Sequence, residues 1–138
     1  MAGVHLVTCV DWNYRHWAET MLRSTKPFNN FKKKFVIAVG EGDWDSWAER
    51  HDVTIVPQAW PDDPNYDRGR WCQNVRMRHL LNCIKGSDWL LQVDADVRQH
   101  AWLNTKVFRR VKNPQTALAF AVTKSIGRVL ARGKFKKV

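Results

Sequence analysis

Asp94 and Asp96 close the apolar run Trp89-Leu-Leu-Gln-Val. In extended backbone, residues two apart point to the same side, so these carboxylates converge beyond a strand, with only the small Ala95 between them. Two neighbouring carboxylates repel each other unless a cation holds them. An oxygen-only pair suits Mg²⁺ or Mn²⁺, which keep coordination positions for water and phosphate oxygens. The chemistry that needs such a pair is departure of a phosphate or diphosphate, whose growing charge the metal neutralises. Asp94 and Asp96 are therefore the candidate catalytic and metal-binding residues. The plainer alternative is that they end a strand or cap the next helix.

The elements around the pair alternate in type. Residues 4–10 (VHLVTCV), 35–39 (FVIAV), 54–56, 89–93 and 116–123 (TALAFAVT) read as strands. Tyr14, Trp17, Ala18, Met21 and Leu22 recur at helical spacing, with Asp11 or Asn13 placed to cap that helix. Residues 44–50 read as a short helix. A longer one spans 70–84, with an apolar stripe of Met77, Leu80, Leu81 and Ile84 and a turn at 85–88. Residues 101–112 form a last helix, stopped by Asn113-Pro114. Pro57 ends the third strand. Residues 57–68 form a long loop carrying three prolines, Asp62, Asp63 and Asp67, with aromatic Trp60 and Tyr66. Such a loop serves either to stack on a sugar or base or to pack against its own rings.

Near-continuous apolar strands separated by helices predict an α/β layered, Rossmann-like fold with a mainly parallel sheet. Ligands bind such sheets beyond the carboxyl ends of the strands. Asp11 and Asp94 to Asp96 lie there.

The opening Val7-Thr-Cys-Val-Asp11-Trp-Asn-Tyr14 and the passage from Gln73-Asn74 through Gly86-Ser-Asp-Trp to Asp94-Ala-Asp96-Val97 resemble nucleotide-sugar glycosyltransferases of the GT-A fold. The resemblance covers residues 4–122 and is densest at 70–97. It implies transfer of a sugar from a nucleoside-diphosphate sugar, with Mn²⁺ or Mg²⁺ as cofactor. It implies that Asp96 ligates the metal and that Asp94 contacts the ribose or the metal through water. Asp11 would then sit near the base and ribose, while Arg70, Asn74 and Arg78, successive turns of one helix, reach the diphosphate. It also implies a shortened C-terminal half, because 42 residues follow Asp96 and none is Asp or Glu. His100 is the titratable candidate for a base there, with a surface histidine as the alternative.

Composition bounds the remaining choices. The 138 residues fit one domain, read as a GT-A-like domain over 1–123 and a basic tail over 124–138. With 44% hydrophobic and 12% aromatic residues, collagen, coiled coil and low-complexity disorder are excluded. No apolar run reaches the roughly 20 residues of a spanning helix, and no signal-peptide pattern opens the chain. The expectation is a cytoplasmic location. Three cysteines without CxxC pairing fit core thiols. Charge is uneven: residues 1–69 carry 8 basic and 10 acidic side chains, residues 70–138 carry 15 and 3. The basic end fits nucleic acid or an anionic surface. The alternative function is therefore an inactive, truncated GT-A-like protein that binds nucleic acid or an acidic partner. The tryptophan-rich composition is also compatible with a homo-oligomer.

Overall fold

The computed structural model describes residues 3–103. In chain order these form β1 (Val4–Asp11), α1 (Arg15–Thr25), β2 (Lys33–Val39), α2 (Trp44–His51), β3 (Thr54–Gln58), α3 (Arg68–Ile84) and β4 (Trp89–Gln92). The four strands make one all-parallel sheet in the order β3-β2-β1-β4. The expected α/β layering with a parallel sheet is what the chain adopts. The expected helix at 101–112 does not start at Ala101–Leu103, which is irregular. Its remainder, the strand at 116–123 and the tail at 124–138 lie outside the described residues.

Alternation along each strand splits the core in two. Leu6 and Val10 of β1, with Val36 and Ala38 of β2, face α1 and α2, where Ala18, Met21, Leu22, Trp44 and Trp47 meet them. Val7 and Ile37 face the other way, against Val75 and Cys83 of α3. The sheet is thus covered on both faces, as buried parallel strands require. His5 turns toward α3 as well, its Nδ1 lying 2.7 Å from the Cys83 carbonyl oxygen.

Four sequence expectations need correction. β3 runs through Pro57 to Gln58 instead of ending there. β3 is a sheet edge, so the missing amide hydrogen of proline costs nothing on its outer side. β2 begins two residues earlier than its apolar run, at Lys33. The third concerns α3. Met77 and Leu81 of the expected stripe are 53% and 80% exposed, and the helix instead buries Val75 and Cys83, flanked by Trp71 and Leu80. The fourth concerns α1: Tyr14, just before the helix, and Trp17 of the expected stripe are exposed, and Ala18, Met21, Leu22 and Thr25 carry the packing.

The turn from β2 to α2 is held between indoles. Gly40 has φ +77°, and a Cβ there would stand 2.4 Å from Trp60. A Cβ on Gly42 would stand 2.4 Å from Trp12. A side chain at either position would have to displace an indole.

Candidate functional site

The chain runs β1 to β2 to β3 in one direction across the sheet and then crosses back to place β4 on the other side of β1. The switch point lies between β1 and β4, and a crevice opens there beyond the strand ends. A cleft of about 660 Å³ occupies it. Asp11 ends β1 on one wall, and Asp94 and Asp96 follow β4 on another. α3 supplies Arg68, Gly69, Cys72, Gln73 and Arg76, and Tyr14, Trp17 and Trp60 stand at its rim.

Each acidic side chain has a distinct setting. Asp11 is nearly buried, and its two oxygens do separate work. Oδ1 accepts the Tyr14 amide at 2.9 Å and so fixes the turn into α1. Oδ2 accepts from Arg68 Nη2 at 3.3 Å. The Asp94 Oδ1 atom accepts from Arg76 Nη1 at 2.6 Å. Among the described residues the Asp96 carboxylate has no hydrogen-bond or ion-pair partner. Two ion pairs therefore face the same space, each joining a strand-end carboxylate to a guanidinium of α3.

The cations are not the ones the sequence pointed to. Arg70, Asn74 and Arg78 are exposed and none lines the cleft. Arg68, Cys72 and Arg76 share that i, i+4, i+8 spacing on the opposite side of the helix. The missed signal was Asp67. It is an N-cap whose Oδ1 accepts the Arg70 amide at 3.0 Å, which starts α3 at Arg68 rather than Arg70. With Val75 and Cys83 then facing the sheet, Arg68 and Arg76 turn toward the strand ends. Trp60, one of the loop rings read as able to stack on a sugar or base, does border the cleft. It stacks on Trp71 at 5.2 Å, with Arg68 5.1 Å above its ring. Tyr66 meets Trp71 edge-on at 5.8 Å, so the loop packs against its own rings while Trp60 borders the cleft. His100 is exposed and lines no part of the cleft.

Asp94 and Asp96 both border the cleft, but they flank a turn closed by the Val97 amide donating to the Asp94 carbonyl oxygen at 3.1 Å, not the extended backbone expected from the sequence. They do not make an all-protein cage: among the described residues no three His, Cys, Asp or Glu side chains converge.

The cysteines divide between core and cleft. Cys83 is buried, while Cys9 and Cys72 border the cleft, and all three are free thiols. Burial pushes the Cys9 thiol up from 9.0 to about 11, with the Arg76 guanidinium pulling the other way. Well below pH 9 the thiol is neutral in folded and unfolded chains alike. Between 9 and about 11 the unfolded chain ionises first, so stability is expected to fall as pH rises through that window. Burial acts on Cys83 in the same direction. At pH 8 Cys9 is expected to react with iodoacetamide about a hundredfold more slowly than an ordinary thiol. Mass spectrometry after timed alkylation measures this, and a rate equal to that of glutathione would contradict it.

No helix among the described residues is long and apolar enough to cross a membrane. No protein-family model matches the chain, and a search of curated proteins finds no significant match.

Proposed function

We propose that this chain is a GT-A-like domain that binds a nucleoside-diphosphate sugar with Mn²⁺ or Mg²⁺ and transfers the sugar to an acceptor. One observation carries the reading. Asp11, Asp94 and Asp96 border a single open cleft at the switch point of a parallel sheet, together with two guanidinium groups. A diphosphate with a divalent cation is the ligand whose charges answer that set.

In this reading Asp96 and Asp94 hold the cation, which offsets charge on the departing diphosphate. Arg68 and Arg76 take phosphate oxygens, since a guanidinium fork matches them in pairs. Asp11 accepts from a ribose hydroxyl, its carboxylate being held in place by the Tyr14 amide. Trp60 gives the nucleobase an apolar wall at the rim. Gly69, in the first turn of α3, lets the ligand approach the helix backbone and its positive end.

Calorimetric titration of UDP, GDP and ADP tests the reading. At least one should give saturable heat in Mn²⁺ and markedly less in EDTA. No heat from any of the three with metal present would sink it. If binding holds, release of nucleoside diphosphate from the matching donor sugar, followed by NMR, separates a transferase from a domain that only binds.

A further inference from the structure

The Arg76–Asp94 pair raises a question that the proposed function leaves open, and the inference here rests on that reading. Arg76 Nη1 lies 2.6 Å from Asp94 Oδ1, so a guanidinium charge sits beside a carboxylate assigned to the cation. A divalent ion approaching Asp94 meets that positive charge at close range. At the same time Arg76 is not fully satisfied, because its Nε is buried and has no hydrogen-bond partner. An Arg with one N–H on a carboxylate and another unpaired is poised for a better acceptor. A diphosphate supplies several anionic oxygens, and the guanidinium geometry favours paired bonds to them. Asp94 is mostly exposed while Arg76 is mostly buried, so the pair opens by releasing the carboxylate toward the cleft.

We propose that Arg76 is a displaceable counter-ion: paired with Asp94 it keeps the carboxylate from metal, and by moving its hydrogen bonds to the phosphates of an incoming nucleotide it frees Asp94, so that nucleotide and divalent cation bind with positive coupling. Arg68 and Asp11 repeat the arrangement at longer range, 3.3 Å, with Arg68 largely exposed. Asp11 also holds the turn into α1, so it is Arg76, and not Arg68, that gates a carboxylate assigned to the metal. By linkage, the factor by which nucleotide raises cation affinity equals the factor by which cation raises nucleotide affinity.

The test is Mn²⁺ binding measured by the electron paramagnetic resonance signal of the free ion, with no nucleotide present. Arg76→Gln removes the charge and is expected to bind Mn²⁺ about tenfold or more tightly than the unsubstituted chain. Arg76→Lys keeps a positive charge and is expected to bind it as weakly as the unsubstituted chain. Circular dichroism confirms folding, and Arg76→Met replaces the Gln variant if that one does not fold. The second measurement is UDP affinity by calorimetry with and without Mn²⁺. The metal-dependent gain should be smaller in Arg76→Gln than in the unsubstituted chain. If the uncharged variants bind Mn²⁺ no more tightly than the unsubstituted chain, the counter-ion role is overturned even where UDP still binds with metal. If no nucleotide binds with metal while the uncharged variants do gain Mn²⁺ affinity, the transferase reading and the nucleotide coupling both fail, and only the counter-ion effect of Arg76 on Asp94 stands.

Discussion

The double variant Asp94→Asn/Asp96→Asn is expected to lose about a hundredfold or more of its Mn²⁺-dependent nucleotide affinity while keeping its melting temperature. Asparagine conserves the size of each side chain and removes only the charge that holds a hard cation. Folding should tolerate the change, because both aspartates are exposed at the mouth of the cleft and lie past the end of β4. The same variant carries a second expectation of opposite sign. Without Asp94 as a carboxylate, the Arg76 charge is no longer neutralised. Nucleotide affinity in EDTA should therefore equal or exceed that of the unsubstituted chain. Calorimetry in Mn²⁺ and in EDTA measures both. A metal-dependent gain that survives the double substitution would remove these carboxylates from the site.

The largest expected effect on stability comes from Trp47→Ala. Trp47 is fully buried and meets Trp44 edge-on at 5.5 Å and the His51 ring at 4.7 Å. Its Nε1 donates to Glu19 Oε1 at 2.8 Å, so one side chain both fills the space under α2 and ties that helix to α1. Truncating a buried tryptophan costs about 3–5 kcal/mol through lost burial and the cavity left behind. Against a total of about 5–15 kcal/mol for a small domain, that is a large fraction. Thermal melts followed by circular dichroism should show the midpoint lowered by roughly 10–20 °C. Trp47→Phe, which keeps a ring but loses the bond to Glu19, should lose far less. An alanine variant melting within a few degrees of the unsubstituted chain would mean that the space beneath α2 collapses around the loss.

Much of the framework was legible because its signals were local. β1, β2 and β4 are short apolar runs between turn residues, and α2 begins where a Gly-rich turn ends. β1 and the apolar part of β2 are buried on both sheet faces, so their apolar character needed no knowledge of neighbours, while β4, at the edge of the described sheet, is half-buried throughout. Asp11, Asp94 and Asp96 followed from the strand ends alone, and the fold brings all three to one cleft. The cationic half was misread for a physical reason. Met77 and Leu81 look like core but face outward, whereas the face that packs is built from Val75, Cys83 and Trp71. Choosing the wrong stripe rotates α3 by about half a turn and exchanges Arg68 and Arg76 for Arg70 and Arg78. Trp60 was legible as a ring that could face a ligand, but its seat against Gly40, from a segment twenty residues away, was not.

Asp11 also links elements on opposite faces of the sheet. It ends the central strand, anchors the entry to a helix on one side of the sheet and grips a helix on the other. A guest that draws Arg68 from this carboxylate would loosen one outer layer while the amide of Tyr14 still secures the opposite one. Filling the crevice would thus be felt asymmetrically, as a shift of α3 relative to a stationary α1 and sheet.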